Sequence, residues 1–390
     1  MRGALVAVLV RELARARRGP LVALLVVVLP LASFALLAAV FSARVPRDLP
    51  VVLVDLDDTP LSRRLARFAD ATPSVRLAER TADAALAERR LLEGRAYAVF
   101  TVPAGFERNV LRGGPSPVLL ATNSQWLLPA SLIRRDLTEA VGTLSAGVEI
   151  RTLEARGSGA ALARERFEPV HGERHALFNP GLDYLHYLLV GLLPTMLQIF
   201  VLVAGVQAVG SELREGSAGE WLDAGQGRIG VALFGKLLPY ATGYLGIAAA
   251  MLAGLFGPLG VPRRGSATLL LVASALFVLA YLGLGALLAA LFGNLRLATS
   301  AAAFVATPAF AFVGLTFPTM AMPPLAQVWG AALPLTHYLR LLLEQAMRGA
   351  PPADSFAELA VLGGFALVAP WLALPRLARL ARNPAAWGRS

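Results

Sequence analysis

The sequence predicts an α-helical polytopic membrane protein with six transmembrane helices and an inserted extracytoplasmic domain of mixed α/β fold. Three observations carry that expectation. Hydrophobic residues fill 56% of the 390 positions and charged ones 16%, where a soluble protein has about 25% charged residues. Apolar runs of about 20 residues, enough to cross a hydrocarbon core of about 30 Å, recur along the chain. One long segment, 44–178, is instead polar and close to neutral, with 19 Arg against 17 Asp and Glu.

Residues 1–19 form an amphipathic helix in this reading. At 3.6 residues per turn, Leu5, Leu9, Leu13 and Ala16 share one side, with Arg11, Arg15 and Arg18 on the other. Such a helix lies along the inner interface with its arginines among the headgroups, or serves as a plain positive flank. Gly19-Pro20 breaks it. Residues 20–43 contain the first span, Leu21–Phe41. That run is longer than the roughly 7–15 apolar residues of a signal peptide, so it reads as a retained anchor despite the cleavage-like Val40-Phe41-Ser42.

Within 44–178, β-branched runs such as "LPVVLVDLD", "VRLAE", "AYAVFTVP" and "SPVLLAT" alternate with helical stretches. The alternation predicts βαβ units. A longer helix follows from Pro129 to about Arg156, then a joint at Gly157-Ser158-Gly159. Residues 179–376 supply five further spans at Leu185–Val209, Ile229–Phe256, Ala267–Phe292, Leu297–Phe317 and Leu359–Leu374, and 377–390 form a cytoplasmic tail.

Charge sets the orientation. Outside 44–178, thirteen Lys and Arg fall on one expected side of the membrane and four, at 263, 264, 340 and 348, on the other. This is the positive-inside bias with both termini in the cytoplasm. The net charge of +10 therefore reports topology and not a nucleic-acid partner. The cell compartment expected is the bacterial plasma (inner) membrane.

Catalytic chemistry has no foothold. The chain has no cysteine, which excludes thiol catalysis and thiolate metal sites. Gly230–Leu237 reads G-x-x-x-x-G-K-L, one residue short of a phosphate-binding loop. No strand precedes it, Leu237 replaces the hydroxyl that would meet Mg²⁺, and Lys236 is the only lysine. Lys236 is expected to snorkel to the cytoplasmic headgroups. His171 and His175 stand at i and i+4, but Gly172 weakens that helix and no third ligand is near, so the pair reads as a solvated juncture. Asp55, Asp57 and Asp58 follow a strand end, where turn and capping roles prevail.

The loop 210–228, "GSELREGSAGEWLDAGQGR", runs against the local charge trend, with Glu212, Glu215, Glu220 and Asp223 against Arg214 and Arg228. Trp221 adds an apolar anchor, and a short acidic helix with such an anchor suits partner docking. The segment 314–350 is broken by Pro318, Pro323, Pro324 and Pro334, and non-helical backbone at membrane depth needs cover from protein or a water-filled cavity. A re-entrant outer gate is the expectation there.

"ELREGSAGEWL…FGKLLPY" resembles the cytoplasmic coupling segment of ABC-2 type permeases, the membrane subunits of ABC exporters. "VRELARARRGPLVALLVVVLP" is similar to that family's interfacial helix and first span. "FNPG" (178–181) and "GLTFPTMAMPPLAQVWGAALPLTHYLRLLLEQAMRGA" (314–350) resemble its membrane-return and outer-segment motifs. The chain departs from the pattern in a coupling stretch one residue shorter, in Ser217 for Thr, and in Ala224-Gly225 where a Pro is usual.

The resemblance implies the permease subunit of an ATP-binding cassette exporter that moves a hydrophobic or amphipathic substrate (drug-like, lipid or glycan) out of the cytoplasm or inner leaflet. It implies a separate ABC ATPase subunit carrying the ATP and Mg, with no cofactor in this chain. A second permease subunit would complete a homo- or heterodimer, membrane lipid surrounds it, and the ectodomain could meet a periplasmic adaptor. Glu212, Arg214, Glu215, Glu220 and Trp221 are the expected ATPase-coupling residues, and Phe317, Pro318, Met322 and Pro323 the expected outer gate. The alternative is a non-transporting membrane receptor or scaffold with a ligand-binding ectodomain, which would need neither the acidic loop nor the proline-broken segment.

Overall fold

The computed structural model describes residues 2–18, 20–155 and 177–388, so Gly157-Ser158-Gly159, His171 and His175 lie outside the described residues. The chain divides into two compact units, Ala43–Asp183 and the remainder, Met1–Ser42 with Tyr184–Ser390.

The helical unit begins with α1 (Arg2–Arg18), the short α2 (Pro20–Ala23), a π-turn at Leu24–Val28 and α3 (Leu29–Val40). Pro30 explains the wide turn, since its ring denies the carbonyl of Val26 an ordinary helical donor.

The unit 43–183 is built on four strands, β1 (Leu49–Asp55), β2 (Val75–Thr81), β3 (Ala98–Val102) and β4 (Leu119–Thr122), in the order β2-β1-β3-β4. β1 pairs in parallel with β2 and β3, and β4 closes the sheet antiparallel to β3. Parallel strands need crossover helices. Here α4 (Pro60–Asp70) joins β1 to β2, and α5 (Ala84–Leu92) joins β2 to β3. The two crossovers run in opposite directions across the sheet, so the right-handed rule puts them on opposite faces. Accordingly Val51, Leu53 and Phe100 pack with Leu65 of α4, while Val52 and Val54 pack with Ala87 of α5. The short α6 (Phe106–Leu111) follows β3. The long α7 (Leu127–Ala155) covers the α4 face through Ile133 and Leu137.

The aspartates after β1 are turn and cap residues. Asp55 accepts hydrogen bonds from the backbone N–H of Asp57 and Asp58, from Ser62 Oγ at 2.8 Å and from Arg80 at 2.6 Å. Asp57 accepts from the N–H groups of Phe106 and Glu107, both at 3.0 Å, at the start of α6. Burial pushes the Asp55 carboxyl up, but these hydrogen bonds outweigh it and hold the group below the usual carboxylate range.

In the helical unit, five helices among the described residues are long and apolar enough to cross a membrane: Leu185–Arg214, Ile229–Phe256, Ala267–Phe292, Leu295–Phe312 and Pro352–Ala381. The run Leu24–Val40, expected as the first of six spans, is apolar and helical but shorter than these. The span expected at Leu297–Phe317 ends early, because Pro308 interrupts it and only Ala309–Phe312 continues.

The helices that follow the 43–183 unit are α8 (Val190–Arg214), α9 (Ala218–Ala224), α10 (Ile229–Phe256), α11 (Ala267–Phe292) and α12 (Leu295–Ala306). After them come α13 (Ala309–Phe312), α14 (Pro324–Ala331), α15 (Pro334–Leu343) and α16 (Phe356–Ala381). α8 and α11 approach closely because each is glycine at the crossing. A Cβ on Gly205 would lie 2.7 Å from Leu282 O, and one on Gly285 2.6 Å from Leu202 O. In lipid, such backbone contact supplies the van der Waals gain that drives helix association.

Buried polar side chains satisfy backbone groups at the end of α12 and the start of α15. Tyr281 donates to Gln198 Oε1 and accepts from Leu335 N–H at 3.2 Å, while Gln198 Nε2 donates to Ala306 O at 3.2 Å.

Candidate functional site

α1, the end of α8, α9 and the start of α10 converge on one carboxylate. Glu212 lies in the last turn of α8 with no solvent exposure. Arg11 grips it in a fork, Nη1 to Oε1 at 2.6 Å and Nη2 to Oε2 at 3.0 Å. Arg15 Nη1 and Ser217 Oγ also donate to it, and Lys236 Nζ stands 2.7 Å from Oε1. Lys236 in turn holds Glu12 Oε2 at 2.6 Å, and Tyr240 donates to Glu12 Oε1 at 3.1 Å. Arg15 also reaches Glu215. Arg11, Arg15 and Lys236 thus balance Glu12, Glu212 and Glu215, and a buried charge is tolerated when paired in this way. The hydrogen bond to Glu212 raises the Arg11 guanidinium above its usual range.

Local sequence dictates this convergence. Gly216 takes a left-handed φ of +71° and ends α8, with Ser217 N–H returning to Glu212 O at 3.0 Å in the Schellman pattern. The reversal aims α9 back across the cluster. Ser217 precedes α9 without capping it, because its hydroxyl is spent on Glu212. Trp221 is fully buried, donates Nε1–H to Ala232 O at 3.0 Å, and lays its ring 5.9 Å from Lys236 Nζ, within cation–π reach. On the other side of α9, a Cβ at Gly219 would meet the Trp387 ring at 2.9 Å, and Gly388 N–H bonds Leu213 O at 2.9 Å. The chain beyond α16 therefore braces α9.

Two expectations are corrected here. Lys236 does not snorkel to headgroups; it is fully buried between two carboxylates. Nor do the α1 arginines all stand among headgroups: Arg11 and Arg15 turn to Glu212. The buried stripe is Ala4, Val8 and Glu12, flanked by Arg11 and Arg15, whereas Leu13 is exposed with Val6 and Val10. The glycine permits the approach: a Cβ on Gly235 of α10 would stand 2.9 Å from Val8 Cγ1 and 3.2 Å from Leu5 Cδ1. Gly230–Leu237 is helical, and so offers no phosphate-binding turn.

Of the five coupling residues predicted from sequence, the structure gathers all into one neighbourhood but in two roles. Glu212 and Trp221 are buried; Arg214, Glu215 and Glu220 are exposed. The Glu220 side chain is 81% exposed, 3.8 Å from Arg11, and Arg214 pairs with Glu215 at 3.1 Å. Sequence reasoning did not connect Arg11, Glu12 and Arg15 with this site, and gave Ser217 and Tyr240, within the coupling segment, no contact of their own. A signal existed, since Glu12 is the only acidic residue before Asp48 and Lys236 the only lysine, and ionisable residues in apolar helices call for partners.

The four expected gate residues flank one 3₁₀ turn, Thr319–Ala321. Phe317 and Pro318 enter it exposed, Met322 leaves it buried, and Pro323 opens α14. Gln327 Nε2 donates to Met322 O at 2.9 Å and fixes the corner.

Known proteins share this sequence pattern. The sequence profile of the ABC-2 family transporter protein matches residues 22–374. Two curated relatives, each described as "Probable multidrug ABC transporter permease YbhS", from Escherichia coli strain K12 and from E. coli O157:H7, are 27% identical over 191 residues. The match covers 48% of this chain and 50% of each relative, so the chain spans about half the length of the curated relatives it matches.

Proposed function

The chain belongs to the ABC-2 family of transporter proteins, and from that premise we propose that it is the transmembrane permease subunit of an ATP-binding cassette exporter. Six spans, with the run 20–43 as the first, sit in the bacterial inner membrane with both termini cytoplasmic and 44–178 outside. ATP and Mg belong to a separate ABC ATPase subunit, and a second permease subunit completes the transporter. The relatives' description as multidrug permeases and the scarcity of charge in the spans support a hydrophobic or amphipathic cargo.

The observation that carries this reading is the build of α9. Its buried side is locked by Trp221 and the Glu212 cluster, and its free side offers Glu220 and Asp223 with Glu215 nearby. A short, rigidly seated acidic helix can transmit a push from a partner, because displacing it must displace α1 and α10 as well. Glu215, Glu220 and Arg214 contact the ATPase in this proposal, and Glu212 and Trp221 hold the helix that presents them. Phe317, Pro318, Met322 and Pro323 form the outer gate.

The test is purification of tagged protein from its native membrane in mild detergent, with mass spectrometry of what comes with it. A stoichiometric partner bearing a G-x-x-x-x-G-K-[ST] loop is expected, lost or uncoupled in the Glu215→Ala/Glu220→Ala double variant. A preparation free of any ATPase would shift the reading to a receptor or scaffold. Retained ATPase and unchanged efflux in the double variant would remove the site assignment.

A further inference from the structure

A groove of about 460 Å³ runs along α10, α11 and α16, apart from the charge cluster and the proline-broken segment. Its cause is local. Gly283 of α11 lets Pro370 of α16 approach so closely that a Cβ there would lie 2.6 Å from Pro370 Cδ. These two helices make a floor, and α10 stands as a wall through Leu237 and Ala241. Every lining residue is Gly, Ala, Leu, Pro, Phe or Trp. Gly363 faces open space in it, with nothing within 4 Å of an added Cβ.

A second hollow of about 400 Å³ adjoins the groove, the two sharing Gly230 and Phe234 as lining. Arg2 of α1 lines that second hollow. Arg2 is exposed and, among the described residues, forms no ion pair, in contrast to Arg11 and Arg15. An apolar groove between candidate spans thus adjoins a hollow lined by a guanidinium that forms no ion pair among the described residues.

We infer that this groove holds an acyl chain of an anionic membrane phospholipid whose phosphate is met by Arg2. The volume falls in the range of about 300–1,000 Å³ typical of small-ligand sites, and the walls offer an acyl chain contact on three helices. Any phospholipid could fill the apolar part; the guanidinium selects among headgroups. One arginine near an anionic surface contributes about 1 kcal/mol, which is roughly a fivefold preference. The bound chain would wedge α10 against the α11–α16 pair and join the start of α1 to that wedge. The inference requires only that these helices cross a bilayer, and it stands whether or not the protein exports anything.

The test is native mass spectrometry of the full chain released from nanodiscs of equal parts phosphatidylglycerol and phosphatidylcholine. The wild type is expected to retain one phospholipid per chain, with phosphatidylglycerol favoured roughly fivefold. Arg2→Glu should keep a lipid but lose or invert the headgroup preference. Gly363→Leu fills the groove and should cut retention roughly tenfold, whereas Gly246→Leu, exposed on α10 outside it, should not. Loss of retention in neither glycine variant, or in both alike, would overturn the groove as the site. Equal occupancy by the two lipids in the wild type, or a preference unmoved by Arg2→Glu, would overturn the role of Arg2. Failure to recover any lipid with the wild type would overturn the whole inference.

Discussion

Lys236 Nζ lies 2.7 Å from Glu212 Oε1, and neither side chain has any solvent exposure. A charge buried this deeply depends on its partner, and removing one member of such a pair costs about 3–5 kcal/mol. Lys236→Met should therefore lower the melting temperature in detergent strongly. Glu12, left with Tyr240 alone, is the group most exposed to the loss. Adding Glu12→Gln to Lys236→Met should recover much of the stability, while Glu212 keeps Arg11 and Arg15. A double variant no more stable than Lys236→Met would place the cost elsewhere.

Trp221 and Glu220 are neighbours with opposite roles. Trp221→Ala opens a cavity in a fully buried site and should cost about 3–5 kcal/mol. Trp221→Phe, which mainly loses the hydrogen bond to Ala232, should cost about 1 kcal/mol. Glu220→Ala touches an exposed side chain and should leave the melting temperature within about 0.5 kcal/mol equivalent. Parallel melting curves of the three variants check the split.

Gly205→Ala forces a Cβ to within 2.7 Å of the Leu282 carbonyl. Helix backbones cannot yield as a side-chain tip can, so α8 and α11 must separate, at about 1–3 kcal/mol. Gly254→Ala, where the added atom meets nothing within 4 Å, is the control. Equal melting of the two would contradict the close crossing.

In the unit 43–183, Asp55 has a lowered folded-state pKa through its bonds to Asp57 N–H, Asp58 N–H, Ser62 and Arg80. A depressed carboxylate contributes stability that is fully present above its unfolded value of about 3.9. That contribution is lost as pH falls through the lower folded value. Melting of the full chain followed by a probe in this unit should therefore weaken below about pH 4. Asp55→Asn should flatten the dependence and lower stability at neutral pH. A wild-type profile unchanged by the substitution would remove Asp55 as its source.

Much of the framework is legible in the sequence, because it rests on local pattern. Apolar runs mark α8, α10, α11 and α16, alternation marks the four strands, and Glu220 beside Trp221 marks α9. What cannot be read are contacts whose partners share no periodicity. The bond from Lys236 to Glu12 is invisible to any window. The face of α1 misleads for a related reason. Leucines at i, i+4 and i+8 look like one stripe, but Leu5 packs with Val8 against Gly235 while Leu13 is exposed. The end of α12 is hidden because Pro308 interrupts a run whose hydropathy continues. The corner at 317–323 is legible as prolines, but not the Tyr281–Gln198 pair that bonds the end of α12 and the start of α15.

The carboxylate of Glu12 and the amine of Lys236 are 224 positions apart in the chain. During synthesis the N-terminal helix therefore leaves the ribosome long before its counter-charge exists. Until α10 emerges, Glu12 has no buried cation to meet and is best accommodated where water can reach it. Docking of α1 must then be a late event in biogenesis, coming after the 43–183 unit has had the chance to complete its own sheet. A nascent chain arrested before residue 236 should leave α1 open to protease or chemical labelling, and one arrested well beyond it should not.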